Sequence, residues 1–81
     1  MTKAKKELPL APLERLLRKS GAKRVSKGAL KEFADVIADY AYDLSAEAAT
    51  LAKHAGRKTI VDIDVRMARR RMTWFFFYFS I

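Results

Sequence analysis

SKGALKEFADVIADYAYDLSAEAATLAKHAG, residues 26–56, decides how the rest of the chain is read. At 3.6 residues per turn, Leu30, Phe33, Ile37, Tyr40 or Ala41, Leu44, Ala48, Leu51 and Ala55 fall along one stripe. Lys31, Glu32, Asp35, Asp39, Asp43, Glu47 and Lys53 fall on the other faces. This pattern predicts an amphipathic helix. Ser26 offers a hydroxyl to a first-turn amide, and Gly56 supplies a left-handed stop. At about 1.5 Å per residue the helix is a rod of roughly 45 Å. A chain of 81 residues has too little else to cover it, so a second copy is expected to cross it.

Composition points the same way. A domain this small is marginal unless something staples it. With no cysteine, disulfides are excluded. One histidine and no cysteine also argue against structural zinc, which takes about four ligands. Oligomerisation remains. The net charge is +8, from 17 basic and 9 acidic residues. The cations gather at 3–6, 15–31 and 57–71, whereas the acids lie mostly in the long helix. Such a field suits a polyanion, although charge alone also serves solubility. No secretory signal is recognisable, and no apolar run reaches the roughly 20 residues that span a bilayer. The expectation is a cytoplasmic protein.

Working outward, residues 1–6 read as a flexible, lysine-rich lead-in. A short helix is expected from near Pro12, with Leu13, Leu16 and Leu17 on one side and Arg15, Arg18 and Lys19 on the other. Ser20 and Gly21 end it. On the C-terminal side, a loop at 56–60 leads to a third helix. Asp62 and Asp64 suit its first turn, and Arg69, Arg70 and Arg71 are expected in its last. Single bridges at Val25 and Ile60 are the only strand-like possibility. Residues 73–81 hold six aromatics and no charge, with no period.

Short helix, loop, long helix, loop, short helix, with these residues at the joints, resembles the archaeal histones, the minimal histone fold. The resemblance is carried by ELPLAP (7–12), GAKRVS (21–26), SAEA (45–48), KHAGRKTI (53–60) and Asp64, and it covers residues 7–72. It implies an all-α handshake dimer, either a homodimer or a heterodimer with a paralogous histone. The long helices cross, and the first loop of each chain lies beside the second loop of its partner. Such dimers bind and bend double-stranded DNA, and join through four-helix bundles into tetramers or longer nucleosome-like assemblies.

The resemblance also implies roles for individual residues. Arg24 would enter the minor groove while Lys58 and Thr59 hold flanking phosphates, as arginines do in the histone octamer. The plainer reading leaves Arg24 and Lys58 as solvated loop charges. Arg15 would face the DNA at the dimer centre, and Arg18 and Lys19 would be supplementary phosphate contacts or a solvated face. Arg57 would bind Asp64, fixing the second loop. Leu51, His54, Asp64 and Met67 would form the contact between dimers. Without the family, His54 reads as a capping or core residue. Gly21 caps the first helix and would let stacked turns approach. Two departures from the family pattern are Val61 and Ile63, apolar where charge is usual, while Arg66 and Arg69 add cations to the third helix.

No residue is placed to read base edges, so compaction without strong sequence preference is expected. There is no glycine-rich phosphate loop, no His–carboxylate–nucleophile set and no metal-ligand cluster, so neither enzyme activity nor a cofactor or metal is expected. Two other functions remain open. One is a transcription-factor-like dimerisation module. The other is membrane-surface attachment through the tail, which could instead extend the third helix against protein, form an aggregation-prone strand, or stay disordered.

Overall fold

The computed structural model describes the backbone of residues 8–80 and the side chains of 8–73. The lead-in 1–6 lies outside the described residues. Three helices follow in order: α1 (Leu10–Lys19), α2 (Lys27–His54) and α3 (Asp62–Ser80). The described residues contain no strand, and neither Val25 nor Ile60 forms a bridge within the chain. Contacts divide the chain into two units, Met1–Tyr42 and Asp43–Ile81.

In the first unit, α1 starts two residues before the expected Pro12. Pro9 is extended (φ −69, ψ 143) and precedes the helix without a side-chain cap. Pro12 falls at the third helical position, where a backbone N–H would have no intrahelical acceptor. Of the three expected apolar residues, Leu13 is buried and Leu17 half-buried, but Leu16 is 56% exposed. The helix ends as the N–H of Ser20 donates to Leu16 O and that of Gly21 to Arg18 O, both at 3.1 Å. Gly21 then turns the chain at φ +120. Ser26 caps α2: its Oγ accepts from Ala29 N at 3.0 Å, and its carbonyl accepts from Leu30 N at 3.0 Å. An open groove in this unit is lined by Leu8, Leu10, Val25, Leu30 and Ala34 together with the polar Glu14, Ser26, Lys27, Lys31 and Asp35.

In the second unit, α2 ends in a Schellman motif. Arg57 N donates to Ala52 O, and Gly56 N to Lys53 O, each at 2.9 Å, with Gly56 at φ +76. Val61 caps α3, and Asp64, three residues on, reaches back to accept from Val61 N at 2.9 Å. That is the carboxylate half of a capping box. Asp62 Oδ1 accepts from Ile63 N and Oδ2 pairs with Arg66 at 3.3 Å. Farther along, Arg71 Nη1 lies 2.9 Å from Glu47 Oε2 and ties α3 to α2.

Two expectations are corrected here. α3 does not end at Arg69–Arg71; it continues to Ser80, which puts the arginines in mid-helix. The buried line of α2 is also not the stripe of large residues. It consists of Ala34, Ala38, Ala48 and Ala52, and Ala68 of α3 is buried as well, whereas Leu30, Phe33, Ile37, Leu44 and Leu51 are only half-buried. Alanine buries without loss of side-chain entropy. Among the described residues no large side chain is fully buried, and Val36 and Tyr40 stay 58% and 46% exposed. Too much apolar surface is left for one chain to cover.

A candidate nucleic-acid interface

The second loop is built around one ion pair. Once the Schellman turn has reversed the chain, Arg57 Nη1 donates to Asp64 Oδ2 at 2.7 Å and Nη2 to Oδ1 at 2.9 Å. Nη1 also donates to Thr59 O at 3.0 Å, so the same guanidinium holds the loop backbone. Asp64 is 3% exposed, yet both of its oxygens are bonded, and Val61 N–H supplies a third bond. The Arg57 hydrogen bonds, then the Val61 N–H, hold its carboxyl well below the usual range, at about 2, against the opposing effect of burial. Arg57 is in turn raised by its bond to Asp64. Lys58 and Thr59 sit exposed at the bend of this loop, and the Lys58 ammonium has no partner among the described residues.

The first loop is held by Arg18. Its Nε and Nη2 donate to Glu14 Oε2 at 3.2 and 2.9 Å, and Nη1 donates to Lys23 O at 3.3 Å. Arg24, the next residue, is exposed and without a partner among the described residues. Arg15 and Lys19 belong to α1, and both are exposed. Each loop thus uses one arginine to fix its backbone and leaves an adjacent cation open to solvent.

The four residues expected between dimers differ in environment. His54 is exposed at the end of α2, Leu51 is half-buried and Met67 is 46% exposed, while Asp64 is enclosed by its loop. At Gly21 a Cβ would meet nothing within 4 Å, so in a single chain its positive φ is the only reason for glycine. Three ion pairs, Asp62–Arg66 and two more, had not been read from the sequence. Glu14–Arg18 has the i,i+4 spacing of a helical ion pair and was open to inference. Glu47–Arg71 joins residues far apart in the chain, and no local pattern announces it. No group of three or more His, Cys, Asp or Glu among the described residues could hold a metal.

A short, a long and a third helix, joined by basic loops and lacking a self-sufficient core, define the histone fold. The family model described as "Histone-like transcription factor (CBF/NF-Y) and archaeal histone" matches residues 6–68. The archaeal histone HAN1 of Thermococcus zilligii is 50% identical over 62 residues, covering 76% of this chain and 92% of its own. Probable archaeal histone 3 of Methanocaldococcus jannaschii is 47% identical over 64 residues, covering 79% of this chain and 96% of its own. The chain belongs to the archaeal histone family. It is a non-enzymatic, DNA-binding, chromosome-associated architectural protein of the histone fold.

Proposed function

We propose that two chains, identical or paralogous, pair in a handshake and wrap double-stranded DNA along the surface formed by their loops. Arg24 of one chain and Lys58 and Thr59 of the other stand together at each end of this surface, with Arg15 at its centre. Arg24 enters the minor groove while Lys58, Thr59 and loop amides hold phosphates. The carrying observation is the division of labour within each loop. Arg57, and Arg18 reaching from α1, are engaged in internal bonds, while Lys58 next to Arg57 and Arg24 next to the Lys23 carbonyl are exposed. The exposed Val36 and Tyr40 and the apolar groove beside Leu8, Leu10 and Leu30 support the second chain.

Binding is largely electrostatic. A pair of chains carries +16, twice the +8 of one, and phosphate contacts give affinity without reading sequence. Arg18 and Lys19 add supplementary contacts, although Arg18 must first release or share Glu14.

Dimers then join through Leu51, His54 and Met67 into tetramers or longer stacks, with Gly21 allowing close approach of successive turns. The bidentate Arg57 bond leaves Asp64 Oδ1 with one bond, and a carboxylate oxygen accepts about two. The remaining position is the one a neighbouring His54 takes.

Nuclease digestion of protein–DNA complexes tests this reading. A ladder of regularly increasing protected lengths is expected, and it should disappear in an Arg24→Ala/Lys58→Ala double variant. Absence of protection at low salt, or a ladder unchanged by the double variant, overturns it. A module that only binds protein partners gives no protection at all.

A further inference from the structure

The outer side of α3 carries charge that neither loop uses. Asp64 and Ala68 are buried and mark the inner side of this helix, and Arg71 is turned far enough inward to meet Glu47. At 3.6 residues per turn, Arg66, Arg69 and Arg70 stand about 100–160° around the helix from both buried residues. All three arginines are exposed. Arg69 and Arg70 have no partner among the described residues, and Arg66 meets the exposed Asp62 at 3.3 Å. An ion pair so open to water holds its cation weakly.

We infer that this arginine stripe is a second polyanion site, on which the protein holds the backbone of a second DNA duplex beside the one on its loops. The inference rests on the loop surface proposed above, since only against that surface is the stripe a second site.

Three observations select this occupant. First, direction: Arg57 clamps the second loop to the Asp64 side of α3, so the stripe points away from that loop across a helix about 10–12 Å thick. A phosphate held by Lys58 and Thr59 is therefore not one that the stripe meets. Second, spacing: Arg66 and Arg70 are about 6 Å apart along the helix, a length over which one strand of a duplex presents about two phosphates. The planar guanidinium fork suits a phosphate, which it grips through two N–H groups. Third, supply: Glu14, Glu47, Asp62 and Asp64 already have cationic partners, and Asp39 and Asp43 have interactions of their own. Among the described residues a second copy thus offers Glu32 and Asp35 to three guanidinium groups. Burying the stripe against protein with so few carboxylates is costly. DNA is the polyanion this family binds, and a molecule already on one duplex meets neighbouring duplex at high local concentration.

The test is capture of a labelled duplex by a bead-bound duplex through the full chain, comparing wild type with Arg69→Gln/Arg70→Gln, whose helicity is checked by circular dichroism. Fluorescence anisotropy measures binding to one short duplex in parallel, and Arg24→Ala/Lys58→Ala serves as the loop control. Wild type should capture the second duplex. Arg69→Gln/Arg70→Gln should capture it at least about tenfold less, since each chain loses two phosphate contacts. It should keep wild-type affinity for the single duplex, and its oligomeric state without DNA by sedimentation equilibrium. No capture by wild type overturns the proposal. So does equal capture by the stripe variant, because contacts between dimers would then join the duplexes. A matching loss of single-duplex affinity also overturns it, by placing the stripe on the same DNA path as the loops. A changed oligomeric state overturns it in favour of Glu32 and Asp35 of another copy. Wild type that prefers phosphatidylglycerol vesicles to competing duplex, when the variant does not, overturns it in favour of a lipid surface. A loop control that keeps single-duplex affinity refutes the loop surface, and with it the claim that the stripe is a second site.

Discussion

Replacing Lys58 with alanine removes one cation from each chain and two from each dimer. If each lies on one phosphate, the slope of log affinity against log salt concentration becomes shallower by roughly 1.8, at about 0.9 per phosphate released. The structure makes this a clean perturbation. Lys58 is exposed, and the loop that carries it is held by Arg57, Asp64 and the Val61 N–H, none of which depends on the lysine. Helicity and melting temperature should therefore be unchanged. Arg18 provides the contrast. Three of its five N–H donors are already placed on Glu14 and the Lys23 carbonyl, so a phosphate gains less from it than it gains from Lys58. Arg18→Ala should shift the slope by less than half as much, while loosening the first loop. Fluorescence anisotropy with a labelled duplex across a salt series measures both slopes. An unchanged slope in Lys58→Ala, or a larger change in Arg18→Ala than in Lys58→Ala, would refute the division of labour between the loop cations.

Acid should act on the second loop first. The Asp64 carboxyl sits at about 2 in the folded chain against the usual 3.8, so its contribution is complete above about 4 and is lost as pH falls toward 2. Thermal melts of wild type and Asp64→Asn should differ at neutral pH and converge near pH 2; a constant difference would remove the ion pair from the acid transition. Ser26→Ala deletes the Oγ that accepts from Ala29 N and should cost about 1 kcal/mol by urea unfolding. Gly56→Ala places a Cβ at φ +76, where an L residue is strained by roughly 1–2 kcal/mol, although no neighbouring atom lies within 4 Å of it. A neutral result there would mean that the turn can relax.

Capping chemistry made the long helix and its ends legible, because Ser26 and Gly56 each act through their nearest backbone neighbours. Arg57 with Asp64 was legible only through the resemblance, since seven residues and a turn separate them. The start of α1 near Pro12 was legible only to within two residues. A proline is equally acceptable at any position whose N–H has no acceptor, and the chain uses the third. The length of α3 was illegible for another reason. Periodicity is a contrast between faces, and 74–79 has none, so helix and strand read alike. Of the alanine line only Ala48 stood on the expected stripe; Ala34, Ala38 and Ala52 were passed over because small methyl groups weigh little beside leucine and phenylalanine. In a single chain they are nonetheless the residues that find cover, while the large ones wait for a partner.

Surface turns usually accept extra residues at small cost. The segment from Ala52 to Asp64 should not. One arginine there closes a helix through its amide, grips a carboxylate and steadies a carbonyl two residues on, so all three bonds depend on one spacing. A single inserted residue would carry Arg57 or Asp64 out of register, and helix end and loop would fail together. Length polymorphism should therefore be purged from this joint even where its exposed side chains drift freely.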